Sequence, residues 1–183
     1  MSKLFKYALL APALFMICAN IVAGNSSPAL ASDSDKDFEL YDLDGALYDL
    51  QRIRKSKGTR LIVVDFFEVS CDPCRKALPE WSKLHAELSK KGFSIVVVAL
   101  PGPEDRATAE NKLFSYFKKN PVPFPVVFDK YKKVAKQYNV VKDGKATLPQ
   151  AFLLSEKGKI LAEGRGPEDF EARLRAELKT GKK

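Results

Sequence analysis

The sequence predicts an α/β fold, a central mixed sheet flanked by helices, and three observations predict it. Leu61 to Phe67 and Phe93 to Leu100 are continuous apolar runs rich in β-branched residues, the pattern of strands buried on both faces. Between them, Leu78, Trp81, Leu84 or His85, and Leu88 recur at three- and four-residue spacing, which is one face of a helix. Strand, helix and strand in that order form a right-handed crossover with a parallel pair. Later, Ala151-Phe152-Leu153-Leu154 and Lys159-Ile160-Leu161-Ala162 flank Glu156-Lys157-Gly158, an antiparallel hairpin with a glycine-containing loop.

The other elements follow in chain order. Phe38 to Leu43 alternates in part, Asp44-Gly45 is a turn signal, and Ala46 to Leu50 resumes, so the fold opens on a β-hairpin. Lys55 to Gly58 is a polar connector. The first long helix runs from about Pro73 to Lys90 and stops near Gly92, with Pro79 expected to kink it. Pro101-Gly102-Pro103 breaks the chain, and Glu104 to Lys119, carrying Leu113, Phe114 and Phe117, reads as a helix. Val126-Val127-Phe128 is a short strand before a helical turn at Lys130 to Tyr138. Glu168 to Leu178, with Phe170, Leu174 and Leu178 on one face, closes the chain as a helix.

The N-terminus stands apart from this pattern. Lys3 and Lys6 precede a nearly apolar stretch from Tyr7 to Val22, and Ala29-Leu30-Ala31 is a small-x-small site. Residues 1–31 therefore read as a secretory signal peptide cleaved after Ala31. The alternative is an uncleaved membrane anchor, against which Pro12, Asn20 and the short length of the run all weigh. Residues 32–183 are left as one domain with a single core. The expected location is outside the cytoplasm, in the periplasm or an equivalent extracytoplasmic space.

The whole chain has 31 basic and 23 acidic residues. Without Lys3 and Lys6 the balance is 29 against 23, a net charge of +6. The basic residues are scattered, apart from the tail and Lys130, Lys132, Lys133 and Lys136, and no aromatic-basic interleaving marks a nucleic-acid surface. Of three cysteines, Cys18 leaves with the signal, so the mature chain keeps only Cys71 and Cys74. A stapled exported domain would carry more cysteines at wider spacing. A zinc site would need further ligands, and the mature chain offers only His85 and no Met. No metal or bound cofactor is expected.

Cys71-Asp72-Pro73-Cys74 sits between the first buried strand and the first long helix. A helix N-terminus presents unpaired N–H groups and a partial positive charge, which stabilise a thiolate. A stabilised thiolate beside a second thiol is what reversible disulfide exchange requires. Cys71, nearest the helix start, is the expected nucleophile, and Cys74 the resolving thiol. The Asp72 carboxylate is expected to oppose thiolate formation, placing Cys71 in the upper part of the range of roughly 3.5 to 7.5 for such pairs. Pro73 fixes φ at the helix start without removing a needed donor. Asp65 lies within the buried strand, where burial should raise its pKa. His85 and Trp81 read as packing residues, and Glu68 as a solvated loop charge.

This order of elements, with CxPC at the first helix, resembles the thioredoxin superfamily, and most closely its exported TlpA/ResA-like branch of thiol–disulfide oxidoreductases. The Asp42-Leu43-Asp44-Gly45 hairpin resembles that branch's N-terminal extension. The Glu104–Lys119 helix with Phe124-Pro125-Val126 resembles its central helical insertion, and Thr147-Leu148-Pro149 falls where the superfamily keeps a cis-proline. The resemblance spans about Phe38 to Leu178. It implies a thioredoxin fold, a proton-relay role for Asp65, a cis Leu148–Pro149 bond facing the cysteines, and a substrate-binding surface at Pro73, Leu148 and Pro149. It also implies reduction of disulfides in exported client proteins, for example apocytochromes c awaiting haem, with electrons from a membrane-embedded thiol donor. A monomer is expected.

The chain departs from the branch's pattern at Ser70 (usually Trp), Ala77 (often Glu) and Leu148 (often Thr). Two rival functions stay open at this point: a disulfide-donating oxidase or isomerase, and a metal-delivery module on the same fold. A peroxidase would need a lone reactive cysteine with Thr three residues ahead, where this chain has Glu68.

Overall fold

The computed structural model describes residues 36–179. The expected signal peptide, residues 1–31, and the end of the lysine tail lie outside the described residues. The chain opens on an antiparallel hairpin of β1 (Glu39–Tyr41) and β2 (Leu47–Asp49). Its turn is held by the Asp42 carboxylate, which accepts the N–H groups of Asp44 and Ala46, and Gly45 takes φ 82°. The hairpin ends one residue earlier than the alternation suggests. Asp49 instead caps a short helix α1 (Leu50–Arg54), its side chain accepting the Arg52 N–H. That helix was not anticipated, because five residues are too few to show helical periodicity.

Strand β3 (Leu61–Phe67), helix α2 (Asp72–Leu88) and strand β4 (Phe93–Ala99) form the expected crossover. Helix α2 continues through Pro79 as one helix, and a single 3₁₀ turn then ends at Gly92, φ 98°. A side chain at Gly92 would meet the Gly58 carbonyl at 2.6 Å, so glycine is needed there for both its conformation and its lack of bulk. Helix α3 (Arg106–Lys119) begins two residues later than expected, since Asp105 accepts the Thr108 N–H as its cap. Strand β5 (Val126–Phe128) leads into α4 (Lys133–Gln137). The helical turn expected from Lys130 starts only at Lys133, where the buried Asp129 carboxylate accepts the N–H groups of Lys133 and Ala135.

A small hairpin, β6 (Val141–Lys142) and β7 (Lys145–Ala146), follows. Its Asp143-Gly144 turn has both residues at positive φ, a type I′ signal present in the sequence but left unread because each strand is two residues long. Strands β8 (Gln150–Ser155) and β9 (Ile160–Gly164) and helix α5 (Pro167–Lys179) complete the fold.

The main sheet has the order β5-β4-β3-β8-β9. Strands β3, β4 and β5 are parallel, and β8 and β9 antiparallel to their neighbours. This is the mixed sheet expected. β3 lies at its centre and every one of its residues is buried. Alternation sends Val63, Asp65 and Phe67 to one face and Ile62, Val64 and Phe66 to the other. The first face packs under α2, α3 and α5, and the second under α1, α4 and the N-terminal hairpin.

Helix α5 packs against α2, the helix that follows the cysteine pair. Trp81 of α2 and Phe170 of α5, both fully buried, pack as a tilted ring pair with centroids 5.8 Å apart. Replacing Phe170 with Ala should therefore cost about 3–5 kcal/mol, the range for deleting a buried aromatic ring, read as a lower midpoint in chemical denaturation.

Candidate active site

The site is built where β3 gives way to α2. A buried apolar strand is followed by Glu68, Val69 and Ser70, a turn closed by the Cys71 N–H to the Glu68 carbonyl at 3.0 Å. Cys71 is the N-cap of α2, and its sulfur accepts the Cys74 N–H at 3.2 Å. Pro73 occupies the first turn, as anticipated, and the Arg75 N–H makes the first helical bond to the Cys71 carbonyl. The two cysteines are joined as a disulfide with Cα atoms 5.3 Å apart. They are not equivalent. Cys71 is half-buried at the rim of the core, whereas Cys74 is only 2% exposed.

Asp72 is not the bare charge that the sequence suggests. Its carboxylate is held by Lys76 at 2.8 Å and Arg75 at 2.7 Å, and these two bonds hold it below the usual aspartate range. Arg75 also donates to the Val69 carbonyl at 2.6 Å. One guanidinium thus ties the loop before Cys71 to the residue after it. The expectation that Asp72 acts alone against a Cys71 thiolate is corrected accordingly: two cations offset its single charge. On the same loop, the Ser70 hydroxyl donates to the Glu68 carboxylate.

Asp65 is 2% exposed and points under α2. Its register neighbours are Val97 on β4 and Ala151 on β8, neither of which offers a charge. Burial pushes its carboxyl up to about 8, and the Trp81 indole pulls the other way. That pull is not a formed hydrogen bond, since Asp65 Oδ2 and Trp81 Nε1 are both buried without a partner in bonding geometry. Asp65 is thus a buried carboxyl that is mostly protonated at neutral pH.

The Leu148–Pro149 bond is cis. Strand β8 starts opposite Phe66, so Leu148 and Pro149 lie level with the end of β3 and the start of the cysteine loop. Leu148 and Cys71 pack on the same core cluster. Pro73 and Pro149 line one groove of about 490 Å³ with Ala77, Arg165, Gly166 and Pro167. The structure therefore brings together five of the six expected residues, Cys71, Pro73, Cys74, Leu148 and Pro149, at one edge, with Asp65 beneath them. Sequence reading missed the wall formed by Arg165 to Pro167, which carries no chemical motif. It also missed the Arg75 clamp, whose signal was the three-residue spacing from Asp72 at a helix start.

The remaining candidates take other roles. His85 sits half-buried between Phe93 and Phe124, at 6.4 and 5.7 Å between ring centroids, and burial lowers its pKa. Trp81 is fully buried. Among the described residues no cluster of three or more metal-ligating side chains occurs, and no helix is long and apolar enough to cross a membrane.

Comparison with known proteins agrees with this geometry. The model of the AhpC/TSA family matches residues 32–163. The thiol–disulfide oxidoreductase ResA of Bacillus subtilis is 30% identical over 155 residues, covering 81% of this chain and 78% of that protein. ResA of Bacillus thuringiensis subsp. konkukian is 30% identical over 134 residues, covering 73% and 69%. The crystal structure of StoA from Bacillus subtilis superposes with a TM-score of 0.59 at 25% identity, covering 76% of this chain and 94% of that one. With this fold, this cysteine pair and these relatives, the chain belongs to the AhpC/TSA family of the thioredoxin superfamily and is a thiol–disulfide oxidoreductase.

Proposed function

We propose that the protein is exported, loses residues 1–31, and works as a reductase of disulfides in exported client proteins. The observation that carries the exchange chemistry is the inequality of the two sulfurs: one at the rim on a helix N-cap, the other buried behind it. In the reduced protein the Cys71 thiolate attacks a client disulfide. A Cys71–client sulfur bond forms, and the other client sulfur leaves as a thiolate that takes up a proton. The ionised form of Asp65, whose share grows as pH approaches about 8, takes the Cys74 proton, and the Cys74 thiolate attacks the Cys71 sulfur. The Cys71–Cys74 bond forms, the second client thiol is released, and two electrons have passed to the client. A thiol donor restores the dithiol in the reverse sense, and a membrane-embedded donor fits an exported protein.

The client segment fits at the Pro73–Pro149 groove, where an extended backbone can pair with the chain at Leu148 by strand addition. Apocytochromes c awaiting haem are a client class consistent with the branch. The reducing direction is supported by how Cys71 is stabilised. Its sulfur accepts a single N–H, at 3.2 Å, at a helix N-terminus whose one acid is already paired with Arg75 and Lys76. Strong oxidants owe their potential to a far more stabilised reduced form.

Three measurements test this reading. Cys71→Ser should abolish reduction of insulin, while Cys74→Ser should accumulate a mixed disulfide with the client, visible by mass. Native turnover in the first variant would displace Cys71 as nucleophile. The reduction potential, read by alkylation after equilibration in thiol buffers, should lie near −270 mV, and a value near −120 mV would make the protein a disulfide donor instead. The third concerns Asp65. Because its folded pKa is raised to about 8, the folded protein binds more protons than the unfolded chain between that value and about 4. Stability of the oxidised protein should therefore fall as pH rises through this window, by at most about 1.4 kcal/mol per pH unit from this one group. Asp65→Asn should remove that slope and also flatten the rise in client release through pH 8.

A further inference from the structure

Among the described residues, the large apolar side chains that stand out as exposed fall on neighbouring elements. Tyr41 (64% exposed) and Leu47 face each other across the N-terminal hairpin, Phe114 lies on α3, and Tyr131 (51% exposed) on the turn before α4. Tyr41, Phe114 and Tyr131 line a groove of about 490 Å³ floored by Phe38 and Phe128. Single exposed apolar residues are ordinary, whereas a contiguous set marks a contact surface.

The charges around this groove are unequally committed. Asp37 is paired with Arg54, Asp42 with the turn N–H groups, and Asp129 with the start of α4. By contrast, three cations crowd the Tyr131 ring: Arg106 at 4.7 Å, Lys130 at 5.2 Å and Lys133 at 6.0 Å. None of the three has a carboxylate within ion-pair distance among the described residues. Glu39 and Glu110 also line the groove, Glu110 one turn of α3 after Arg106, so the cations are concentrated at the Tyr131 ring and not around the whole rim.

The groove also shares an edge with the disulfide. The ends of the parallel strands are level: the Leu100 N–H bonds the Phe67 carbonyl at 2.8 Å, and the Asp129 N–H bonds the Ala99 carbonyl at 2.9 Å. Asp42 bridges Val127 in antiparallel sense, which brings Tyr41 to the same end of β5. Cys71 leaves β3 and Lys130 leaves β5, two strand spacings apart, or about 10 Å across the sheet.

We propose that this groove is a second docking site for the protein partner that exchanges disulfides at Cys71, and that it takes a segment in which an apolar side chain is followed by carboxylates. The apolar side chain fills the space between Tyr41, Phe114 and Tyr131, and the carboxylates pair with Arg106, Lys130 and Lys133. The inference rests on the oxidoreductase reading above and adds a specificity to it.

The test uses a short neutral peptide closed by its own disulfide, in three forms: unextended, extended by eight Gly/Ser residues ending in Phe-Asp-Glu-Asp, and extended by the same linker ending in Ser-Ser-Ser-Ser. Such a linker reaches roughly 15 Å, enough to span the two sites. The pre-reduced protein should open the acidic-tailed peptide about 10- to 100-fold faster than the others at low ionic strength, the range of electrostatic steering, with the gain collapsing in high salt. The variant Arg106→Glu/Lys130→Glu/Lys133→Glu should lose the gain, and Phe114→Ser should reduce it, while both open the unextended peptide at the native rate. An acidic tail that gives no gain, or a gain that survives both variants, would overturn the proposal. If the unextended peptide is not opened at all, the oxidoreductase reading fails instead, and anisotropy of a labelled, disulfide-free tail still reads the groove directly. Cosedimentation with phosphatidylglycerol vesicles, lost in the triple variant and unaccompanied by any tail effect, would assign the patch to a lipid surface and overturn the protein partner.

Discussion

Strand β3 is buried on both faces and paired along both edges, and the remainder of the molecule is placed by that constraint. A strand so enclosed needs apolar side chains in both directions, because an unpaired polar group there costs several kcal/mol. It has them at six of seven positions. The exception, Asp65, sits under the helix that carries the cysteines. The core on either side must therefore stabilise the strand enough to carry one carboxyl without a partner. The strand whose burial is most complete is also the one that carries a titratable side chain.

The end of β3 matters for a second reason. Four residues after Phe67 the chain caps a helix with a cysteine, so the reactive sulfur receives both a hydrogen bond and the field of the aligned peptide units. Asp72 would blunt that field if it stood free. Pairing with Arg75 and Lys76 spreads its charge over two cations, and Arg75 fixes the loop on the other side of Cys71 through the Val69 carbonyl. Electrostatics and loop geometry at the sulfur are thus set by the same side chain.

Much of this was legible in the sequence, for reasons that differ by element. β3, β4 and α2 were readable because long apolar runs and three/four spacing survive any tertiary context. Cys71, Pro73 and Cys74 were readable because their spacing is itself the chemistry. Pro149 was readable only through the resemblance, since no local property of Leu148-Pro149 announces a cis bond. What escaped was what depends on partners distant in sequence. Arg165 to Pro167 form a wall of the groove only because β9 and α5 fold back beside α2. Helix α1 and the β6–β7 hairpin were missed because five and two residues per element fall below the length at which a period can be counted. The onsets of α3 and α4 were displaced by carboxylates that bind their first N–H groups, Asp105 as the N-cap of α3 and Asp129 from the loop before α4, which a reading based on apolar spacing passes over.

The level strand ends put the disulfide at one end of the sheet and a plain turn at the other. Ser155 pairs with Leu61, so the loop of Glu156, Lys157 and Gly158 hangs from the far end of β3, about 20 Å from the cysteines at roughly 3.3 Å per residue. Lys157 is exposed at its tip. A surface, dye or electrode attached there would present the disulfide edge outward and unobstructed, a natural orientation for immobilising the protein as a redox sensor.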